Sequence, residues 1–340
     1  MKVNQFPDRT IAVDGKEFLY FGGTSYLGVS THPEFQESLF KNIKKWGVFY
    51  GSSRKSNIQL GIYEKFESHF AEFVGAEKCV TVSSGMLAGK ITIDFLSKTI
   101  ARFYHYPKTH PAILHADSLP LFVDGKLNPG LTNSENEEIV ITVDAVLALE
   151  VTPTSFDFLD GISSSKRVTL VIDESHSLGI VGENGEGIFD LILHRVVHKK
   201  IMISSLGKAL GLPAGVIASD YGFIEKITND ANFISASGAS PAHLATYLET
   251  QDLYEDQREL LYQNLDFIFM DGLGNRFKYH PNYPVIYSED DSIYQQLFDK
   301  GIVITNFKYP TYKNFMSRIV ITANHTFEDL ELLKAALNFK

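Results

Sequence analysis

Between about residue 46 and residue 250 the chain alternates short β-branched runs with segments of helical period, and this alternation constrains the fold more than any other feature. Strands separated by helices pair in parallel and bury both faces, so the pattern predicts an open, mostly parallel sheet covered by helices. The expected strands are "KCVTVSS", "PAILHAD", "VLALEVT", "VTLVIDE", "IMISSL" and "AGVIASD". Expected helices include "HPEFQESLFKNIKKWG", where Phe35, Leu39, Ile43 and Trp46 share one face and Gly47 ends the element. "IYEKFESHFAEFVG" repeats the logic with Phe66, Phe70 and Phe73 before Gly75. Beyond residue 250, "HLATYLETQDLYEDQRELLYQNLDFIF" reads as one long helix, followed by short strands around "PVIYS", "GIVITNF" and "RIVITAN". A last helix starts at a cap, Thr326. The expected organisation is an N-terminal segment (1–45), a large domain (46–250) and a smaller α+β domain (251–340).

Composition narrows the functional classes. The 340 residues carry 31 Lys plus Arg against 41 acidic residues, a formal net charge of −10, which repels nucleic acid and anionic membrane. The single cysteine, Cys79, rules out an internal disulfide framework and reads as a small buried hydrophobe. No apolar run reaches the ~20 residues of a membrane span, and "MKVNQFPDRT" lacks the apolar core of a signal peptide, so a cytoplasmic protein is expected.

The chemistry concentrates at predicted strand ends. In "VTLVIDESHSLGIVGENGEG" a buried strand delivers Asp173, Glu174 and His176 to its carboxyl end, where open α/β sheets bind ligands. A lone Asp there reads equally as a helix cap, but the adjacent His176 and the glycines that follow favour a site. The next strand, "IMISSL", brings Lys208 of "SLGKALG" to the same edge. A lysine of lowered pKa forms a Schiff base with an aldehyde, and pyridoxal 5'-phosphate needs a carboxylate beside its ring nitrogen. Asp173 suits that role, with His176 beside the ring. "TVSSGMLAG" supplies an anion anchor, since Ser84, Gly85 and Met86 lie where a strand gives way to a helix N-terminus, and Ser205 adds a hydroxyl. The segment "GENGEG" is not a dinucleotide motif, no GxxxxGK[ST] loop is present, and no His/Cys cluster has metal-ligand spacing.

Taken in order, "YLGVSTHPEF", "YGSSR", "FAEFVGAEK", "SSGMLAG", "VIDESHSLGIVGENGEG", "SLGKALG", "FISASGASPA" and "RIVITANHT" resemble the α-oxoamine synthases over nearly the whole chain. This family of pyridoxal-phosphate enzymes has the fold-type I architecture. The resemblance implies that Lys208 carries the cofactor, Asp173 pairs with the pyridine nitrogen and His176 contacts the ring oxygen. It implies that Ser84, Gly85, Met86 and Ser205 hold the phosphate, with Ser237 reaching it from the neighbouring subunit of a homodimer. Arg318 matches the arginine that grips the amino-acid carboxylate. The implied reaction condenses a small amino acid with an acyl-CoA. An aminotransferase or lyase without CoA chemistry, and a non-enzymatic relative retaining Lys208, are the other readings.

Departures from the family bear mostly on the substrate. Thr24 stands where an asparagine is usual, Tyr63 replaces a histidine and Ile58 a glycine. The chain is shorter than the family pattern at its N-terminus and between Glu150 and Asp173, where segments often contribute to an acyl-CoA tunnel. Alignment through "AILHAD" as a strand leaves no ring-stacking histidine, whereas alignment through "HPA" would select His110; the strand reading is preferred, and His105, His110 and His115 are expected to be surface or strand residues.

Overall fold

The structure is a computed structural model and describes residues 1–307 and 316–337. Its larger sheet has seven strands, in the spatial order Lys78–Val82, Gly215–Ser219, Val197–Ser205, Lys166–Asp173, Glu137–Asp144, Phe103–His105 and Leu119–Pro120. Only Gly215–Ser219 runs antiparallel to its neighbours; the other pairings are parallel. The mostly parallel sheet expected from the alternation is therefore present. Its central strand explains why: Val168, Leu170, Val171 and Ile172 are wholly buried, with helices covering both faces. Truncating one of them to Ala costs about 2–5 kcal/mol.

Two expected strands are not strands. "PAILHAD" opens with a 3-10 turn, Pro111–Ile113, because Pro111 has no N–H for a ladder and pre-sets a turn. The strand in this region lies earlier, at Phe103–His105. "VLALEVT" is likewise irregular, and the strand precedes it at Glu137–Asp144. Val146, Leu149 and Val151 are nonetheless buried, so their apolar pattern reports the core rather than a ladder. The long helix is broken at Thr250, between Pro241–Glu249 and Gln251–Phe269, where Thr250 has φ −123 and donates its hydroxyl to the Thr246 carbonyl at 2.9 Å.

A second sheet of six strands joins both ends of the chain. Lys16–Phe21 pairs in parallel with Ile302–Phe307, which runs antiparallel to Met316–Val320; Val285–Ser288 lies on the far side of that strand. The N-terminal residues thus share a sheet with the C-terminal ones. The turn after Lys16–Phe21 carries Tyr26, whose carbonyl accepts the Ala323 N–H at 3.0 Å. The last helix, Phe327–Leu337, begins with a reciprocal cap: Thr326 N donates to Asp329 at 2.9 Å and Asp329 N to the Thr326 hydroxyl at 3.3 Å.

Candidate active site

Parallel register places Asp144 directly beside Asp173, with Ile203 on the other side of Asp173. Two carboxyls therefore sit at adjacent strand ends. Asp173 is 5% exposed and accepts the Ser175 N–H at 2.8 Å, while its carbonyl takes the Ala145 N–H. Burial, reinforced by the charge of Asp173, pushes the Asp144 carboxyl well above the usual range. Two anions this close in a low-dielectric site do not both ionise readily, which favours the protonated form of Asp144.

The chain leaves the next strand at Ser205 and turns through Leu206 and Gly207 to Lys208. Ser205 N donates to the Ser175 hydroxyl at 2.7 Å, which ties this turn to the Asp173 loop. Gly211 has φ +65, and a Cβ there would lie 2.6 Å from the Ser30 hydroxyl, so only glycine fits the bend behind the lysine. A Cβ on Gly207 would make ordinary contact with the Leu212 carbonyl at 3.5 Å, so this position does not by itself demand glycine. Among the described residues, Lys208 makes no hydrogen bond or ion pair. Burial lowers its pKa to about 8, with Arg318 acting in the same direction and Asp173 and Asp144 opposing it. A substantial fraction of this lysine is thus neutral near physiological pH.

The expected anion anchor is built from close backbone approach. Ser84 caps the helix Gly85–Ser97 by accepting the Leu87 N–H at 3.2 Å, leaving the first-turn amides of Gly85 and Met86 without intrahelical acceptors. A Cβ on Gly85 would lie 2.6 Å from that of Ser205, and one on Gly215 would lie 2.1 Å from the Ser84 carbonyl. These glycines allow three chain segments to converge on one cradle. The Ser237 carbonyl accepts the Ser83 N–H at 3.0 Å, so the exposed Ser237 lies at the rim of its own chain's cradle.

His176 is 7% exposed, and burial together with the charges of Lys208, Arg318 and His110 holds its imidazole well below the ordinary range. Its Nδ1 lies 3.0 Å from the Tyr26 hydroxyl, which in turn accepts from Arg318 Nη2 at 2.6 Å. Tyr283 closes the group by donating to the His176 carbonyl at 3.1 Å. Arg318 projects from Met316–Val320, paired with Tyr287 on one side and Thr305 on the other. Burial works against its charge, but the phenols of Tyr26, Tyr287 and Tyr283 push its pKa up. Among the described residues its buried Nε has no hydrogen-bond partner. A buried donor left unpaired is costly, and here it offers a ready place for an anionic oxygen.

The structure corrects the reading of the histidines. His110 is neither a surface nor a strand residue. It caps the Pro111–Ile113 turn, its N–H donates to Asp144 at 3.0 Å, and its Nδ1 accepts the Ala112 N–H at 3.2 Å. Burial lowers its pKa, while the charges of Asp173 and Lys208 act on it in opposite directions. His110 therefore belongs to this cluster. His115 stacks on Phe103 and His105 bonds to Ser118, both outside it. The Asp144 and Tyr26 contributions were also absent from the sequence reading; the Pro after His110 was the available signal, because it marks a turn rather than a strand. Glu174, fully buried, accepts the Ile188 N–H at 2.9 Å and the Ser177 hydroxyl, and so ties down the glycine-rich loop that follows. Tyr63 is buried, donates to the Ala239 carbonyl at 2.8 Å and lies under Arg54, whereas Ile58 is exposed.

The residues fit pyridoxal phosphate on chemical grounds: a glycine-opened cradle for phosphate, a buried strand-end carboxyl, a lysine of lowered pKa and, among the described residues, an arginine donor without a partner. The chain is similar to known proteins over most of its length. Residues 54–189 match the model of the DegT/DnrJ/EryC1/StrS aminotransferase family. The 8-amino-7-oxononanoate synthase of Petrotoga mobilis is 28% identical over 345 residues, covering 94% of this chain and 88% of that protein. Its counterpart in Thermoanaerobacter pseudethanolicus is 24% identical, covering 94% and 86%. Among solved structures, Sphingomonas wittichii serine palmitoyltransferase superposes with a TM-score of 0.81 at 17% identity, covering 99% of this chain and 90% of that one. The 8-amino-7-oxononanoate synthase of Francisella tularensis gives 0.68 at 23% identity, covering 94% and 96%. The chain is thus similar over nearly its whole length to proteins named 8-amino-7-oxononanoate synthase, and it shares the fold of these and of serine palmitoyltransferase.

Proposed function

We propose that this protein condenses a small amino acid with an acyl-CoA, releasing free thiol and, as in most of the resembling family, carbon dioxide. The observation that carries the reading is the convergence of Lys208, Asp173, His176 and Arg318 from two sheets, with the Arg318 Nε left free. Bound pyridoxal phosphate supplies an aldehyde for the amino group and a protonated ring that draws electrons from Cα.

The chain's own residues do the rest. Lys208 would hold the cofactor through its amine, and its lowered pKa suits it to take and return the proton at the substrate Cα. Asp173 would keep the ring nitrogen protonated, and His176 would hold the ring oxygen. Ser84, Gly85, Met86 and Ser205 bind the phosphate through the helix N-terminus and two hydroxyls. Arg318 holds the substrate carboxylate through its fork of N–H groups. His110, whose backbone N–H is held by Asp144, would be the residue to cover the ring. The working unit is a homodimer with the active site at the interface between copies. The exposed Val48, Phe49 and Ile58, each close to 60% exposed, support an apolar contact between copies.

Incubating the holoenzyme with glycine, alanine or serine and a panel of acyl-CoAs tests this directly. Thiol release that requires both substrates supports the proposal. Keto-acid formation without thiol release would instead support an aminotransferase, the reading favoured by the family-model match over residues 54–189.

A further inference from the structure

The contact between Arg318, Tyr26 and His176 joins residues 292 and 150 positions apart in sequence, and Tyr26 is fully buried. A guanidinium can only donate, so at 2.6 Å the Tyr26 oxygen accepts from Arg318 Nη2. The phenol has one proton, and among the described residues the acceptor in hydrogen-bond geometry is His176 Nδ1 at 3.0 Å; the Tyr283 hydroxyl, which also interacts with Tyr26, gives its own proton to the His176 carbonyl. The Tyr26 hydroxyl therefore donates to an unprotonated Nδ1. A neutral imidazole in that state carries its proton on Nε2.

We infer that Tyr26 is a positioning residue that sets the His176 tautomer and couples it to the carboxylate grip of Arg318. This rests on the proposed cofactor reading for its consequence, which is that Nε2–H is the donor presented to the ring oxygen. A carboxylate that binds the free Nε pulls the guanidinium and changes how strongly Nη2 polarises the phenol. The stronger the Arg318 contact, the more polarised the Tyr26 O–H bond and the firmer its bond to His176. Carboxylate occupancy is thereby felt at the histidine without direct contact. The second donor separates the two tasks: Nη2 serves Tyr26, and Nε is left for the ligand.

The test uses holoenzyme in which the histidine ring nitrogens are isotopically labelled, with His176→Gln to assign the signal and acetate as the carboxylate probe. His176 is expected to show an unprotonated Nδ1 and a protonated Nε2, and to shift on acetate titration together with the cofactor absorbance. Tyr26→Phe is expected to retain acetate affinity within about 3-fold, to lose the His176 response, and to lower kcat about 10-fold, the loss of one hydrogen bond near a charge. A wild-type His176 protonated on Nδ1 overturns the inference without any variant. So does a Tyr26→Phe protein that keeps both the tautomer and the acetate response. If the protein takes up no cofactor, the functional reading falls instead, and the tautomer measured on cofactor-free protein still decides the role of Tyr26.

Discussion

Two buried charged clusters in this molecule differ in one respect, and the difference separates scaffold from chemistry. In the first, Arg54 donates to both oxygens of Glu67, at 2.8 and 3.0 Å, and to the carbonyl and hydroxyl of Thr81. Glu67 also accepts the Thr81 N–H and hydroxyl, and Tyr63 stacks beneath the guanidinium. Charge and donors are matched. The second cluster, at the end of the larger sheet, holds a lysine without a partner, an arginine with a free Nε and two adjacent carboxyls. Such mismatches are retained where a ligand completes them, and perturbed titration concentrates there.

Breaking the mismatched cluster changes activity far more than stability. Lys208→Ala is expected to lower turnover by about 10²–10⁴-fold and to abolish borohydride-trappable cofactor, as mass spectrometry would show. Its urea midpoint stays at or above the wild-type value, because a buried unpaired cation has been removed. The matched cluster behaves oppositely. Glu67→Ala leaves Arg54 buried and uncompensated, and about 3–5 kcal/mol of stability should disappear from the denaturation curve. Turnover of the fraction still folded should change little.

Smaller effects sharpen the contrast. Arg318→Lys keeps the charge but loses the fork, so KM for the amino acid should rise about 10-fold, an amount set by a charged hydrogen bond, with a smaller change in kcat. The pH dependence of stability provides two more tests of opposite sign. Glu174 is raised from 4.5 to about 7 by burial, so the folded state holds a proton that the unfolded state releases, and stability falls as pH rises between those values. Glu174→Gln should flatten that fall, by about 1–3 kcal/mol. Lys208 is lowered from 10.5 to about 8, so in the cofactor-free protein stability rises with pH across that interval, a slope that Lys208→Ala removes. An unchanged slope in either variant would detach that group from the titration.

Much of the site was legible as residue types at strand ends. "VTLVIDESH" marks a buried strand followed at once by acids and a histidine, and the local run of apolar residues suffices to place Asp173 at the edge. Apolar runs elsewhere misled. "AILHAD" and "VLALEV" have the composition of strands, yet the first is turned by Pro111 and the second is core-facing loop. Burial and strand pairing leave similar marks on composition, and only the ladder tells them apart. Shifting that strand concealed His110, because the residue seemed to lie ahead of a strand when it caps a turn beside Asp144.

By itself the sequence determined the alternating architecture, the lysine, the strand-end carboxylate and the glycines that make room for them, since each is a local matter of periodicity and backbone conformation. Tertiary structure decided which of these groups meet. The pairing of Asp144 with Asp173 depends on parallel register, and the contact of Tyr26 with His176 and Arg318 depends on an N-terminal strand joining a C-terminal sheet. Such contacts follow from how sheets are ordered in space, a property of the whole chain that no short segment carries.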